Sequence, residues 1–252
     1  MNTLDRSAKG VYLITVTPFT DDGALDLAST DRMVDFYLER GATGLTILGI
    51  MGEATKLTAQ ESQIFVKQVL ARVGGRVPVV VGASAAGFAP MRELTQSVMD
   101  MGASGVMVAP ASTLRTDDQI VAYFDMVAET VGSSVPWVLQ DHPVSTGVQM
   151  STAVVLKILK NAPNCVMLKH EDSPGLAKLS AIRNANERGD VPRVSILAGN
   201  GGGLFLPEEL TRGADGAMTG FAYPEMMADV CRAHGAGDVE RAHDDFEAYL
   251  PL

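Results

Sequence analysis

The stretch Gly41-Ala42-Thr43-Gly44 has two echoes, Gly102-Ala103-Ser104-Gly105 and Gly213-Ala214-Asp215-Gly216, and each stands just before a short apolar run. A glycine after a helical segment ends the helix in the left-handed region and turns the chain into a strand. The copies begin at 41, 102 and 213, intervals that fit two and then four units of roughly 30 residues, the usual length of a βα unit. Working outward, Val/Ile/Leu-rich runs are read as strands near Val11-Thr17, Leu45-Gly49, Val77-Gly82, Gly105-Ala109, Trp137-Gln140, Val166-Lys169, Ser195-Ala198 and Gly216-Thr219. Helical segments lie between them. Thr58-Ala59-Gln60-Glu61 and Thr116-Asp117-Asp118-Gln119 have the form of capping boxes, and Ser173-Pro174 reads as a cap residue ahead of a first-turn proline. Eight βα units in one chain predict a TIM (βα)8 barrel spanning 1–252 as a single domain, with a terminal helix at about 238–249. An open doubly wound sheet is disfavoured, because Thr17-Pro18-Phe19 stands where the glycine fingerprint of its first turn belongs.

Composition bounds the partners. The 252 residues are 46% hydrophobic and 20% charged, enough for one sizeable core, which excludes disordered and fibrous classes. A net charge of -10, with no cluster of basic residues among aromatics, argues against a nucleic-acid partner. The N-terminal stretch Met1–Gly10 carries Asp5 and Arg6 and lacks the apolar run of a secretory signal. Val77–Met91 is too short and too interrupted by Gly and Pro to span a bilayer, so no membrane association is expected. Cys165 and Cys231 sit in apolar stretches without CxxC spacing, which predicts neither disulfide nor metal site and suits a cytoplasmic protein.

Lys169 closes the apolar run Cys165-Val166-Met167-Leu168 at the rim of the sixth strand, where barrel enzymes keep their chemistry. Burial there disfavours the ammonium form and frees a nucleophilic amine. The competing reading is a structural ion pair with Glu171 or Asp172. The remaining lysines, Lys178 among them, fall in loops or on amphipathic helices where the charge reaches water. His142 and His170 also stand at strand ends. Alternation turns His170 away from the barrel if Lys169 points in, and Asp141 and Glu171 are read as facing away with it; Glu53 is read as ordering its loop.

Four motifs in order carry a resemblance: Thr17-Pro18-Phe19 with Asp22-Gly23, Gly49-Ile50-Met51-Gly52-Glu53 with Leu57-Thr58 and Glu61, Pro143 with Thr146-Gly147, and Met167-Leu168-Lys169. Together they resemble the dihydrodipicolinate synthase and N-acetylneuraminate lyase family, across nearly the whole chain. The resemblance implies a barrel that assembles as a homodimer or homotetramer. It also implies a class I aldolase or lyase that joins a lysine, here Lys169, to the ketone of a 2-oxo acid without a metal or other cofactor. Family members usually continue into a further helical segment, most of which this chain lacks.

The resemblance also marks departures. Ile50 and Met51 stand where the family usually has two hydroxyl residues, Gln140 where it has a catalytic tyrosine, Ala111 and Ser112 where it has a tyrosine pair, and Ser145 where an arginine is common. Authentic dihydrodipicolinate synthesis is therefore not expected, and His142 is the candidate acid/base replacement. The expected substrate contacts are Gly49, Ile50, Met51, Ser112, Gly199, Asn200 and Gly201, with the backbone NH groups of Ile50 and Met51 available to an anion. Two other readings remain open. One is a non-catalytic relative that binds a small molecule; the other is a phosphate-binding barrel isomerase using the glycine run Gly201–Gly203.

Overall fold

The computed structural model describes residues 3–252, so Met1 and Asn2 of the N-terminal stretch read above lie outside the described residues. Strands β1 (Gly10–Ile14), β2 (Gly44–Ile47), β3 (Val79–Gly82), β4 (Gly105–Val108), β5 (Trp137–Asp141), β6 (Cys165–His170), β7 (Ser195–Ala198) and β8 (Gly216–Ala217) pair in parallel and in sequence order. β8 pairs back onto β1 and closes the barrel. Every expected strand is present. Around them run α1 (Leu27–Glu39), α2 (Ala59–Val73), α3 (Phe88–Asp100), α4 (Asp117–Val131), the single turn α5 (Pro143–Thr146), α6 (Thr152–Asn161), α7 (Leu176–Glu187), α8 (Leu206–Thr211), α9 (Pro224–Gly235) and α10 (Val239–Glu247). The last of these is the expected terminal helix.

The repeated glycine motif does the work its spacing implies. Gly41, Gly102 and Gly213 take φ of 91°, 102° and 92°, left-handed values that end α1, α3 and α8 and that other residues adopt only with strain. The motif's last glycine opens the next strand at a point of close approach: a Cβ on Gly216 would overlap the Gly10 carbonyl, and one on Gly105 would sit 2.7 Å from the Pro136 oxygen. Both capping boxes form, Thr58 with Glu61 and Thr116 with Gln119. Ser173, in contrast, does not cap α7. Gly175, at φ 57°, takes the N-cap position, and its carbonyl lies 3.1 Å from His170 Nε2, which delays the helix to Leu176.

Alternation along the strands separates two cores. Leu13, Leu45, Ile47, Val81, Val106, Leu139 and Leu168 face the helices, while Tyr12, Val80, Met107, Val138, Met167, Leu197 and Met218 fill the barrel. Leu4 closes its lower end, with its NH on the Ser104 carbonyl at 2.9 Å. Because both faces of each strand are covered, the strands read as continuous apolar runs. Lys178 is a correction to the sequence reading: it is only 8% exposed, wedged between the barrel and α7, where its amine donates to Asp141 Oδ2 and the Met150 carbonyl at 2.5 Å each. Its position on an amphipathic helix points it inward, toward a carboxylate that β5 turns outward. Among the described residues, no helix is long and apolar enough to cross a membrane. Cys165 and Cys231 are both free.

Glu209 of α8 is fully buried, and neither carboxylate oxygen has a hydrogen-bond partner. Burial, reinforced by the neighbouring charge of Glu208, pushes its pKa up to about 8. The fold therefore holds a proton that the unfolded chain has already released, so stability falls as pH rises from the ordinary glutamate range toward 8. Glu209→Gln, which mimics the protonated acid, should leave the denaturant midpoint nearly unchanged at pH 5 and raise it at pH 8.5. Equal effects at the two pH values would contradict this account.

Candidate active site

β5 and β6 are the longest neighbouring strands, and their register sets Gln140 beside Lys169 and Asp141 beside His170. With a period of two, Gln140 and Lys169 point into the barrel while Asp141 and His170 point out. One further bond, from the Glu171 NH to the Asp141 carbonyl at 2.9 Å, extends the pairing past the strand end. Glu171 therefore returns to the face of Lys169. Beyond β5, His142 precedes the proline-led turn α5 and brings its ring back over the same spot.

These residues converge on one carboxylate. Glu171 Oε1 lies 2.9 Å from Lys169 Nζ and 2.7 Å from His142 Nδ1, and Glu171 Oε2 accepts from Gln140 Nε2 at 2.9 Å. His142 Nε2 lies 2.9 Å from Ser145 Oγ, which is exposed. A continuous chain of polar contacts thus runs from the buried amine through Glu171 and His142 to the solvent at Ser145. Burial lowers the pKa of Lys169, with the Glu171 charge opposing it. Burial also works to raise Glu171, but the His142 hydrogen bond and the Lys169 charge outweigh it and hold the carboxyl below its ordinary range.

The pair is not sealed. A cavity of about 410 Å³ opens at the C-terminal mouth of the barrel and is bordered by Lys169, Glu171, His142 and Gln140. Of the expected substrate contacts, Ile50, Met51, Gly199, Asn200 and Gly201 also line it, together with Ile14 and Val144. Gly49 does not: it lies behind the wall, with Ile14 and Met107 side chains 3.7 and 3.8 Å from where its Cβ would be. Ser112 does not either. It is exposed in the loop between β4 and α4, which Arg115 ties to itself through bonds to the Ser112 and Leu114 carbonyls at 2.7 and 2.8 Å. Glu53 stands outside the cavity in an exposed pair with Lys56.

Two local features set the walls. Leu48 takes φ 53°, unusual for a branched side chain, at the point where β2 hands over to the loop carrying Ile50 and Met51, and the Thr17 hydroxyl holds that loop through the Gly52 carbonyl at 2.6 Å. Gly199 is bare because a Cβ there would overlap Glu171 Cγ. Asn200 Nδ2 is buried without a hydrogen-bond partner and so offers a donor at the cavity wall. Two NH groups of the glycine run, by contrast, are spent on the protein itself: Gly202 and Gly203 donate to the carbonyls of Gly220 and Asn200, and the next residue, Leu204, to that of Gly201. The helix that follows carries Glu208 in its first turn, a charge that repels rather than attracts phosphate, while its neighbour Glu209 is buried and holds its proton. Among the described residues, no group of three or more His, Cys, Asp or Glu side chains is arranged to hold a metal ion.

Glu171 is the residue the sequence reading missed, since it was assigned to the outward face with His170. The signal was available in the same period of two that places Lys169, which puts residues 169 and 171, like 140 and 142, on one side. Its pairing with Lys169 was foreseen as an ion pair; the cavity beside that pair and the histidine behind it were not.

An amine buried at the mouth of a (βα)8 barrel, with a carboxylate and an imidazole in contact, defines a barrel of the class that works through a lysine side chain. Residues 7–252 match the model of the dihydrodipicolinate synthetase family, and the chain belongs to that family. It is 30% identical to 4-hydroxy-tetrahydrodipicolinate synthase of Pseudomonas putida over 96% of this chain and 81% of that one. It is likewise 30% identical to L-2-keto-3-deoxyarabonate dehydratase of Azospirillum brasilense over 97% and 78%. Among solved structures it superposes on the dihydrodipicolinate synthase of Rhodopseudomonas palustris with a TM-score of 0.96 and 47% identity, covering 100% of this chain and 83% of the other. A pyruvate complex of YagE from E. coli K12 matches at 0.85 and 28%, covering 95% and 79%.

If Gly199 is bare to make room for Glu171, Gly199→Ala should cost about 1–3 kcal/mol of unfolding free energy through overpacking. Gly201→Ala, where an added methyl meets nothing within 4 Å, should be close to neutral. Chemical denaturation of both variants checks the contrast, and equal costs would contradict it.

Proposed function

We propose that this protein is a lyase, aldolase or dehydratase, in which Lys169 forms a Schiff base with a 2-oxo acid. The observation that carries the reading is an inward, buried Lys169 amine, with its pKa lowered, on the wall of an open cavity. Its neutral form attacks the ketone carbon and the carbonyl oxygen leaves as water. The resulting iminium accepts the electron pair released when an adjacent carbon–carbon bond breaks or a proton departs. No metal is needed for that step. The same reading makes the protein a cytoplasmic homodimer or homotetramer.

Glu171 and His142 take the place of the tyrosine relay. Glu171 accepts the proton that the Lys169 nitrogen gives up after attack and returns it to the oxygen, and His142, in contact with that carboxylate and resupplied through Ser145 from water, delivers the second proton with which the oxygen leaves as water. Asn200 donates to a substrate oxygen, and the backbone of Ile50 and Met51 receives the carboxylate. With Gln140 bonded to Glu171 and no arginine at 145, this machinery differs from that expected of tetrahydrodipicolinate synthesis, so the substrate is a different 2-oxo acid. The phosphate-isomerase reading is weakened by the occupied NH groups of Gly202 and Gly203 and by the Glu208 charge in the turn that follows.

Incubation with pyruvate and borohydride, followed by peptide mapping, should add the mass of the reduced adduct at Lys169 and nowhere else, and Lys169→Arg should abolish it. His142→Ala should still trap while turnover of the eventual substrate falls roughly a hundredfold or more. Absence of any adduct at Lys169 would overturn the Schiff-base reading, and unchanged turnover in His142→Ala would remove the histidine from it.

A further inference from the structure

We propose that the cavity selects 2-oxo acids whose far end is uncharged and apolar, aromatic or branched, and rejects those bearing a second carboxylate. The proposal rests on the Schiff-base reading for what happens at the near end of the substrate.

Charge in the cavity is confined to one side. Lys169 and His142 each contact Glu171 on the β5–β6 wall, and the remaining side chains bordering the cavity are neutral. Across the barrel, at the exits of β1, β2 and β8, the wall is Ile14, Ile50, Met51 and the bare backbone of Gly220, together with the polar side chain of Thr219. Met51 lies directly on Gly220, where a Cβ would overlap its thioether, so the absence of a side chain at 220 is what seats the methionine. A second carboxylate brought here would shed water and meet no guanidinium or ammonium, a loss that apolar walls cannot offset.

Exposure points the same way. Ile50, Met51 and Val144 are 56%, 41% and 81% exposed, three large apolar side chains left open to water around one opening. An apolar cluster of this kind, beside a reactive amine, is the arrangement of a binding wall waiting for a complementary group. Size agrees: at roughly 30 Å³ per water-sized group, about 410 Å³ holds about a dozen non-hydrogen atoms, roughly twice those of pyruvate. The surplus is about that of a phenyl ring. Flexible Met51 suits a flat or irregular tail.

The test compares pyruvate, 2-oxo-4-phenylbutanoate and 2-oxoglutarate, measuring affinity by calorimetry and adduct at Lys169 by borohydride trapping. The phenyl compound should bind at least about tenfold more tightly than either of the others and form the adduct, and Val144→Arg should shift the preference toward 2-oxoglutarate. Tight binding of the phenyl compound without an adduct would sustain the selectivity and overturn the Schiff base. Adducts from all three, with 2-oxoglutarate bound as tightly as the phenyl compound, would overturn the selectivity and sustain the Schiff base. Neither binding nor adduct from any of them would overturn both.

Discussion

The site turns on the carboxylate of Glu171, which sits against three side chains at once, an amine, an imidazole and an amide. A buried carboxylate needs an opposing charge and partners for its lone pairs, and here the Lys169 amine stands 2.9 Å from one oxygen while Gln140 donates to the other. The same contacts fix the geometry of the candidate chemistry. They keep the lysine amine at the cavity edge, give its proton a place to go, and aim the imidazole back toward the reacting group. The parallel register of β5 and β6 makes this convergence possible, because it brings the inward residues of two strands level with one another.

On the other face of those strands lies a second charge layer. Asp141 meets Lys178, and His170 meets the Gly175 carbonyl, directly behind the inward cluster. Burial pushes Asp141 up to about 6 despite the Lys178 charge. Two strands thus carry alternating ionic residues inward and outward, and the outward pair ties β5 to α7, so that the helix shell and the inner cluster hold each other in place.

The barrel was legible because its signals are local. Apolar runs, capping boxes and the glycine motif each act within a few residues, and each formed where its chemistry dictated. Lys169 was legible for the same reason, as a charge ending an apolar run. What escaped depends on contacts between distant segments. Lys178 looked like a surface lysine until Asp141, 37 positions away in the chain, gave it a buried partner. Ser173 looked like a cap until the chain needed Gly175 to turn into α7. Ser112 stands at a position the family uses, but its loop between β4 and α4 is exposed and does not border the cavity. Glu171 follows the same alternation as Lys169, two positions earlier, and the bond from its NH to the Asp141 carbonyl carries that alternation past the strand end.

The central claim is that the fold lowers the pKa of one lysine amine where a ketone can reach it, so that its neutral form is drawn on more easily than that of a surface lysine. Titration of lysine side chains by NMR, with the Lys169 signal identified by its loss in Lys169→Met, measures this directly. The account predicts that Lys169 loses its proton well below the ordinary lysine value while the exposed lysines titrate normally, because burial outweighs the pull of Glu171. A midpoint for Lys169 at or above that of the exposed lysines would mean that the ion pair locks the charge in place, and the account would be contradicted.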